Sequence, residues 1–429
     1  MRKKISVIFA GLALLVAIIS CRPPWEEGIT PVGVTVTSVI EETSETETAV
    51  VTDLETETET PIETEESAET EEPEITDTEE TPISLSPVAG PEFSGITMFT
   101  TIKGWAVTQD RNMLLTTVDG GETWLDATPD DLSTLPDGYT TLSIRPFFLD
   151  EYAAWFTPNS ANGSMLYHTQ DSGVTWTVTP LPFINARYYF LDLSTGYALV
   201  DLGAGAGSHY VALFLTMDGG ATWTEVFAHE PGESKCLPES GTKGAMTFLN
   251  TNTGWIGGNI PMTDYFHLYM TSDGGATWSQ VTDISLPVTY TDVFLDVWSP
   301  FFMNDDVGYL PVNALTTDTT FYLLIYRTSD SGQTWTYQNA VQDGNAVDFF
   351  SIDGGWMAAG TGLLRTTDGG ANWTPMPAGG IGAGEVILDV DFVDGQHGWV
   401  VTTPNESTYT PLIFYRTTDG GTTWTQLLP

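Results

Sequence analysis

An eight-residue motif that occurs seven times constrains the fold of this chain more than any other feature. Its pattern is Thr-x-Asp-[Gly/Ser]-Gly-x-[Thr/Asn]-Trp, and the Asp, the second Gly and the Trp are the same in every copy. Successive copies place their Asp residues 38 to 57 residues apart. Repetition at this spacing is typical of architectures in which each unit is one supersecondary structure. The copies occupy residues 117–124, 169–176, 216–223, 271–278, 328–335, 366–373 and 417–424.

The residue types of the motif are those of a tight turn. An Asp can accept hydrogen bonds from backbone N–H groups just downstream, and Gly adopts conformations that a Cβ forbids. Apolar residues precede the motif and a Trp ends it, which predicts a β-hairpin. Because a catalytic centre needs one copy and a repeated turn needs one per unit, we assign structural roles to the repeated Asp and Trp residues. They are Asp119, Asp171, Asp218, Asp273, Asp330, Asp368, Asp419, Trp124, Trp176, Trp223, Trp278, Trp335, Trp373 and Trp424.

A second element, Phe-x-[Asp/Asn/Ser]-x₃-[Gly/Ala]-[Trp/Tyr], lies upstream of each motif, with Met98 in place of Phe in the first repeat. It predicts a strand, a polar turn and a second strand. Each repeat then has four strands, A to D. The predicted fold is an all-β, seven-bladed β-propeller of four-stranded antiparallel blades, with the motif in each C–D turn. The first and last blades could abut, or residues 88–95 could add a strand across the joint; we expect direct contact.

The seven motifs resemble Asp-box (BNR) repeats. Together with the Phe-to-Trp element, they resemble the propeller family of the photosystem II assembly and stability factor and its bacterial relatives, over residues 96–429. The resemblance implies the propeller fold. It leaves function to the loops that this fold carries.

Residues 1–20 have the pattern of a lipoprotein signal peptide. A basic start at Arg2 is followed by an apolar run, and Ile18-Ile-Ser-Cys21 resembles a bacterial lipoprotein cleavage box. The alternative is a membrane-spanning helix, but the run is shorter than the ~20 residues that a span requires. We expect Cys21 to be acylated and to anchor the protein in the cell envelope, on the extracytoplasmic side of a bacterial membrane. Cys236 then has no intramolecular partner, so no disulfide is expected.

Residues 21–87 are predicted to form a disordered, Thr/Glu-rich stalk. Residues 41–80 contain 18 acidic residues and no Lys or Arg, a composition that buries little apolar surface and repels itself. Capture of cations or of a basic partner by this segment is the alternative. Residues 88–429 are predicted to form the propeller.

The propeller segment has 37 acidic and nine basic residues, which argues against nucleic acid or anionic lipid as a ligand. Its His and Cys residues lack metal-ligand spacing, and we expect no metal, no cofactor and a monomer. Arg327, Arg365 and Arg416 each directly precede a motif, which indicates a structural role rather than the arginine cluster of a sialidase. The loop from His229 to Gly244 is a candidate local positive region.

The A–B and C–D turns are regular, so the variation in length falls on the B–C and D–A connections, which share the opposite face. Variable loops on a rigid scaffold are where binding normally occurs. We therefore predict a binding or assembly scaffold for protein or glycan on this face; the alternative is a glycosidase-like hydrolase with a carboxylate pair there. The candidate binding residues are Tyr139, Arg145, Tyr188, His209, Tyr210, Tyr265, His267, Tyr290, Trp298 and Tyr409.

Overall fold

Seven antiparallel sheets follow one another along the chain and form a seven-bladed β-propeller, as the repeats predicted. The computed structural model describes residues 84–132, 142, 144–158, 164–205, 207–229 and 237–427. The signal peptide with Cys21, most of the stalk, Tyr139 and Cys236 lie outside the described residues. Within each blade, strands A to D pair in chain order. The A strands contact one another at the joints between blades 2 and 3, 3 and 4, 6 and 7, and 7 and 1.

The blades comprise the following strands. Blade 1 contains β1 (Pro87–Val88), β2 (Phe93–Met98), β3 (Gly104–Thr108), β4 (Leu114–Thr117) and β5 (Trp124–Asp126). Blade 2 contains β6 (Phe147–Phe148), β7 (Ala154–Phe156), β8 (Met165–Thr169) and β9 (Thr177–Pro180). Blade 3 contains β10 (Ala186–Phe190), β11 (Gly196–Gly205), β12 (Ser208–Thr216) and β13 (Thr224–Ala228). Blade 4 contains β14 (Ala245–Phe248), β15 (Gly254–Gly257), β17 (Leu268–Thr271) and β18 (Ser279–Gln280).

Blade 5 contains β19 (Phe294–Val297), β20 (Phe301–Phe302), β21 (Gly308–Leu315), β22 (Phe321–Thr328) and β23 (Thr336–Gln342). Blade 6 contains β24 (Gly344–Phe349), β25 (Gly355–Ala359), β26 (Gly362–Thr366) and β27 (Thr374–Met376). Blade 7 contains β28 (Val386–Phe392), β29 (Gly398–Thr403), β30 (Ile413–Thr417) and β31 (Thr425–Gln426). Two elements lie between blades: a 3₁₀ helix (Asp130–Leu132), and β16 (Asn259–Thr263), which leaves blade 4 and pairs with β19 of blade 5.

Blades 1 and 7 abut without sharing a strand. Blade 7 is complete in β28 to β31, and β1 pairs with β5 at the outer edge of its own blade. Two carboxylates of β28 accept hydrogen bonds from the backbone of β2. Asp391 Oδ2 is 2.6 Å from Met98 N, and Asp389 Oδ2 is 3.4 Å from Ile96 N. The ring is therefore closed by side chains.

Aromatic stacking between blades explains the conserved spacing of the Phe-to-Trp element. The Trp or Tyr that begins strand B packs on the Phe that ends strand A of the next blade. Trp155 and Phe190 are stacked with ring centroids 3.9 Å apart, and the Tyr197–Phe248 separation is 3.6 Å. In blades 3 to 7 the Gly before the aromatic makes room for the Phe of its own blade: a Cβ on Gly196 would lie 2.3 Å from the Phe190 ring.

The eight-residue motif forms the same hydrogen-bonded turn in all seven blades. In blade 4, Thr271 Oγ1 donates to Asp273 Oδ1 (2.8 Å) and accepts from Gly275 N (2.9 Å). Thr277 N donates to the same Asp273 oxygen (2.8 Å). The corresponding three bonds occur in every other copy. The carboxylate of each motif Asp thus accepts hydrogen bonds from its own turn.

The Trp that ends the motif packs into the layer between blades. Trp124 of blade 1 lies 6.0 Å from Phe414 of blade 7, measured between ring centroids. The indole N–H groups of four of these Trp residues donate to backbone carbonyls, namely those of Trp176, Trp223, Trp278 and Trp424. Those of Trp124, Trp335 and Trp373 have no partner among the described residues.

Candidate anion-binding site on the loop face

The two ends of the propeller differ in the regularity of their connections. We call the end formed by the A–B turns and the motifs the motif face, and the end formed by the B–C and D–A connections the loop face. The sequence assigned all ten candidate binding residues to the loop-face connections, but Tyr188 lies in strand A of blade 3, and His209 and Tyr210 lie in β12. The structure describes nine of these residues, and it divides them into buried and accessible groups.

Three candidates are closed to solvent. Tyr188 is 9% exposed, and its hydroxyl lies 2.6 Å from Thr157 Oγ1. Trp298 is 4% exposed within the core between blades 5 and 6. His267 is fully buried, and burial lowers its pKa to about 4. These side chains pack the propeller and do not present a surface to a ligand.

The other candidates are at least partly exposed, and most contact their own or adjacent loops. Tyr210 donates to Glu239 Oε2 (3.4 Å) and Tyr265 pairs with the Tyr269 hydroxyl (3.1 Å). Tyr290 packs against Tyr322 with ring centroids 5.2 Å apart. The Tyr409 carbonyl accepts from Gln109 Nε2 (2.9 Å) across the joint between blades 7 and 1. These contacts are spread around the ring and do not form one pocket.

Arg145 is different, because it lies beside two other arginines from two other blades. Arg111 is in the B–C connection of blade 1, Arg145 directly precedes blade 2, and Arg187 is in the A strand of blade 3. Ile144 N donates to the Arg111 carbonyl (3.0 Å), which ties the first two segments together. We call Arg111, Arg145 and Arg187 the arginine cluster.

The charge of Arg145 acts on both of the other arginines. Desolvation, and then the positive charge of Arg145, lower the pKa of both Arg111 and Arg187. Arg187 is nevertheless accessible to solvent, as is Arg145.

The arginine cluster lacks the ion pairs and ring contact that the other arginines make among the described residues, although Arg187 Nη1 donates to the Gly244 carbonyl and the charge of Asp201 acts on Arg187. Arg416 Nη2 is 2.8 Å from Glu122 Oε1 and Arg327 Nη2 is 3.6 Å from Asp353 Oδ1, both across a blade joint on the motif face. Arg365 lies over the Trp356 ring, 5.4 Å from its centroid. Among the described residues, no carboxylate forms an ion pair with any member of the arginine cluster. Guanidinium groups are suited to bidentate binding of carboxylate or sulfate.

The arginine cluster was only partly foreseen from the sequence, which singled out Arg145 alone. The sequence nevertheless contains a pattern that could have indicated a second member of the cluster. Arg145 and Arg187 each lie three residues before the Phe that ends strand A, at Phe148 and Phe190. Equivalent positions in adjacent blades are neighbours around the centre, so two arginines at one position predict a local concentration of positive charge.

Blades 6 and 7 carry a group of acidic side chains in their A strands. Burial, together with the nearby Asp391 and Asp348, raises the pKa of Asp389 to about 7. Such a pKa would suit an acid catalyst, but Asp389 is 4% exposed and its carboxylate accepts the Ile96 N–H. Asp348 Oδ2 likewise accepts Phe392 N (2.7 Å). These carboxylates join blades and do not form an open pair for hydrolysis.

The described residues contain no group of three or more His, Cys, Asp or Glu residues arranged to hold a metal ion. They also contain no helix with the length and apolar character needed to cross a membrane.

Solved structures share the propeller fold, although no protein-family model and no curated protein matches this sequence. One is YCF48 bound to a D1 peptide, with 16% identity, a TM-score of 0.47, and coverage of 75% of this chain and 93% of that one. Another is the GH74 xyloglucanase from Xanthomonas campestris, with 14% identity, a TM-score of 0.52, and coverage of 81% and 55% respectively. This chain therefore spans about half of the xyloglucanase. At these identities the likeness concerns the fold alone.

Proposed function

We propose that this chain is an extracytoplasmic, lipid-anchored Asp-box propeller that binds an anionic group of a protein or glycan partner at the arginine cluster. One observation carries the proposal. Three arginines from three blades converge on the loop face, and no described carboxylate pairs with them. Like charges held close together repel one another. The charge of Asp201 offsets part of this repulsion at Arg187, and a bound anion would relieve the remainder.

The charge of the rest of the propeller limits which anions can bind. With 37 acidic and nine basic residues in positions 88–429, the body repels extended polyanions at long range. A single carboxylate or sulfate is screened from that repulsion once it is within hydrogen-bonding distance of the guanidinium groups. The expected ligands are therefore a peptide with a free C-terminal carboxylate, or a sparsely charged uronate or sulfated glycan.

The proposed anchor fits a scaffold that works at a surface. An acylated Cys21 followed by a stalk of about 65 residues would hold the propeller at a distance from the membrane while restricting it to the envelope. The ligand would then belong to an envelope protein, a cell-wall polymer or an extracellular glycan.

The proposal is tested by screening the full-length protein against three arrays: peptides ending in a free carboxylate, the same peptides amidated, and uronate glycans. We expect binding to the carboxylate peptides or the glycans, weakened at least tenfold by Arg145→Gln combined with Arg187→Gln. Arg327→Gln combined with Arg365→Gln is the matched control on the motif face and should bind normally. Equal binding of free and amidated peptides, without glycan binding, contradicts the proposal. So does turnover of a glycan by the double variant.

A further inference from the structure

Lys243 is a buried lysine on the loop face whose ammonium is surrounded by backbone oxygens. It is 2% exposed. Its Nζ, with three N–H donors, lies within hydrogen-bonding distance of four carbonyls, those of His209 (2.9 Å), Glu239 (2.9 Å), Ser240 (3.0 Å) and Gly241 (3.1 Å). Burying an ammonium is costly unless its donors are satisfied. Burial lowers the pKa of Lys243 to about 8, which leaves the charged form predominant at neutral pH.

The four carbonyls belong to two different segments of the chain. His209 lies in the hairpin between β11 and β12, which extends from blade 3 on the loop face. The other three lie in the D–A connection that joins blade 3 to blade 4, described from Leu237 to Gly244. Backbone bonds run between the same segments, from His209 N to the Glu239 carbonyl (2.7 Å) and from Gly241 N to the Gly207 carbonyl (3.0 Å). The ammonium thus lies at the centre of this contact.

The titratable groups near Lys243 include three histidines and Glu239. Lys243 is the positively charged group in the contact between the 237–244 connection and the blade 3 hairpin. Its own backbone N–H donates to His209 Nδ1 (2.9 Å), so the His209 proton is on Nε2, which faces Asp201 Oδ1 at 3.3 Å. Burial, and then the Lys243 charge, lower the pKa of His267 to about 4. Burial lowers the pKa of His229 as well. Glu239 is the neighbouring carboxylate whose charge favours the ammonium.

The connection also leads directly to the arginine cluster. Gly244, the next residue, accepts a hydrogen bond from Arg187 Nη1 through its carbonyl. Gly244 N donates to the Gly257 carbonyl in blade 4 (3.1 Å). The position of the Arg187 guanidinium therefore depends on where the end of this connection is held.

We propose that Lys243 is an internal cation that holds the 237–244 connection on the blade 3 hairpin and thereby positions Arg187 for its ligand. The statement about the ligand rests on the proposed function, whereas the statement about the connection does not. Without the ammonium, four carbonyl dipoles point at one another with no donor between them. The connection then separates from the hairpin, and Gly244 no longer fixes Arg187.

The test compares full-length wild type with Lys243→Met, which keeps the apolar stem and removes the donors. We expect backbone amide exchange to accelerate at least tenfold in residues 237–244 and 207–211, and to stay unchanged elsewhere. Lys103→Met, the same substitution on the motif face, is the control. If Lys243→Met does not fold, Lys243→Gln, which keeps two donors without charge, is measured instead. Unchanged exchange in a folded variant overturns the proposal.

Two further readouts separate this inference from the proposed function. The guanidinium resonances of Arg187, assigned with Arg187→Lys, should shift and broaden in Lys243→Met; unchanged resonances overturn the positioning role even if exchange accelerates. Affinity for the carboxylate-ended peptide array should fall at least threefold. If wild type itself fails to bind both that array and the uronate glycans, the proposed function is lost, while exchange and the Arg187 signals still decide the role of Lys243.

Discussion

The indole N–H of Trp399 donates to the carbonyl of Gly120, 279 residues away in sequence and 2.8 Å away in space. Trp399 is in strand B of blade 7, and Gly120 is in the motif of blade 1. Trp155 makes the same contact between adjacent blades 2 and 3, with the Gly219 carbonyl (2.9 Å). Ring closure therefore uses the bond that joins blades elsewhere, and it needs no shared strand.

Trp399→Phe should lower the stability of the ring. The substitution removes a buried hydrogen bond and leaves the Gly120 carbonyl with one partner fewer, at a cost of about 1–3 kcal/mol, to which the smaller ring adds a cavity. Trp356→Phe is the matched control, because Trp356 is equally buried and its N–H has no partner among the described residues. Denaturant midpoints should fall further for Trp399→Phe than for Trp356→Phe. Equal losses would show that volume alone matters.

The motif carboxylates should make the propeller sensitive to acid. Burial opposes the charge of Asp171, but hydrogen bonds from Thr175 and Thr169 outweigh it and lower its pKa. Stabilisation from such a group is present above the ordinary pKa of 3.8 and is lost as the pH falls through the folded value. Asp171→Asn should therefore reduce the slope of melting temperature against pH between about 2 and 4.

The control for that measurement is Asp283→Asn. Asp283 is exposed and accepts no hydrogen bond from any described residue, so its substitution should leave the slope unchanged. A slope that changes equally in both variants would mean that overall charge, rather than the turn, causes the acid sensitivity.

The fold was predictable because it depends on local patterns that repeat. Each motif makes its hydrogen bonds within eight residues, and each Phe-to-Trp element contains the end of strand A and the start of strand B. Periodicity alone therefore defines the blades. The arginine cluster depends on contacts between blades, such as the one from Ile144 N to the Arg111 carbonyl. Nothing near Arg111 in sequence indicates Arg145 as its neighbour. Tyr188, His267 and Trp298 were predicted to lie in variable loops that bind a ligand. They are buried instead, because alternation within a strand sends side chains into the core as easily as out of it.

Asp389 should give the propeller the opposite pH dependence in a higher range. Its pKa of about 7 lies above the ordinary 3.8, so folding favours the protonated carboxyl. The stabilisation that Asp389 gives to the folded protein is fully present at pH values below its ordinary pKa of 3.8 and is lost as the pH rises through 7. Asp389→Asn keeps an oxygen for the Ile96 N–H and removes the charge that faces Asp391 and Asp348. We expect the variant to exceed wild type in unfolding free energy at pH 8, on the order of 4 kcal/mol at most.

At pH 4 to 5 the unfolding free energies of Asp389→Asn and wild type should differ little, because the carboxyl of Asp389 in the folded wild type is then mostly protonated. Unfolding free energies measured from pH 4 to 8 give the comparison. A variant that is less stable than wild type across the whole range would show that a charged Asp389 is needed for the joint between blades 7 and 1.

Cys21→Ser tests the proposed anchor directly. Acylation requires the thiol, so the variant should lose incorporation of an alkyne-tagged fatty acid and should appear in the soluble fraction. Cys236→Ser controls for labelling at the second cysteine and should behave as wild type. Full labelling of Cys21→Ser would contradict the proposal, as would wild type that takes up no lipid.

Arg145→Gln should separate the stability of the empty propeller from its response to a ligand. In the absence of anions, the variant removes the charge that lowers the pKa of Arg111 and Arg187, so its melting temperature should equal or exceed that of wild type at low salt. A ligand present at 100 times its Kd stabilises the wild type by about 2.7 kcal/mol. That increment should largely disappear in Arg145→Gln, whereas Arg327→Gln should keep it and lose stability instead, since its ion pair with Asp353 joins two blades. A stabilising increment that survives in Arg145→Gln would place the ligand elsewhere on the propeller. The site is therefore expected to show the pattern of a binding surface, in which a residue unfavourable to the free protein becomes favourable when the ligand is bound.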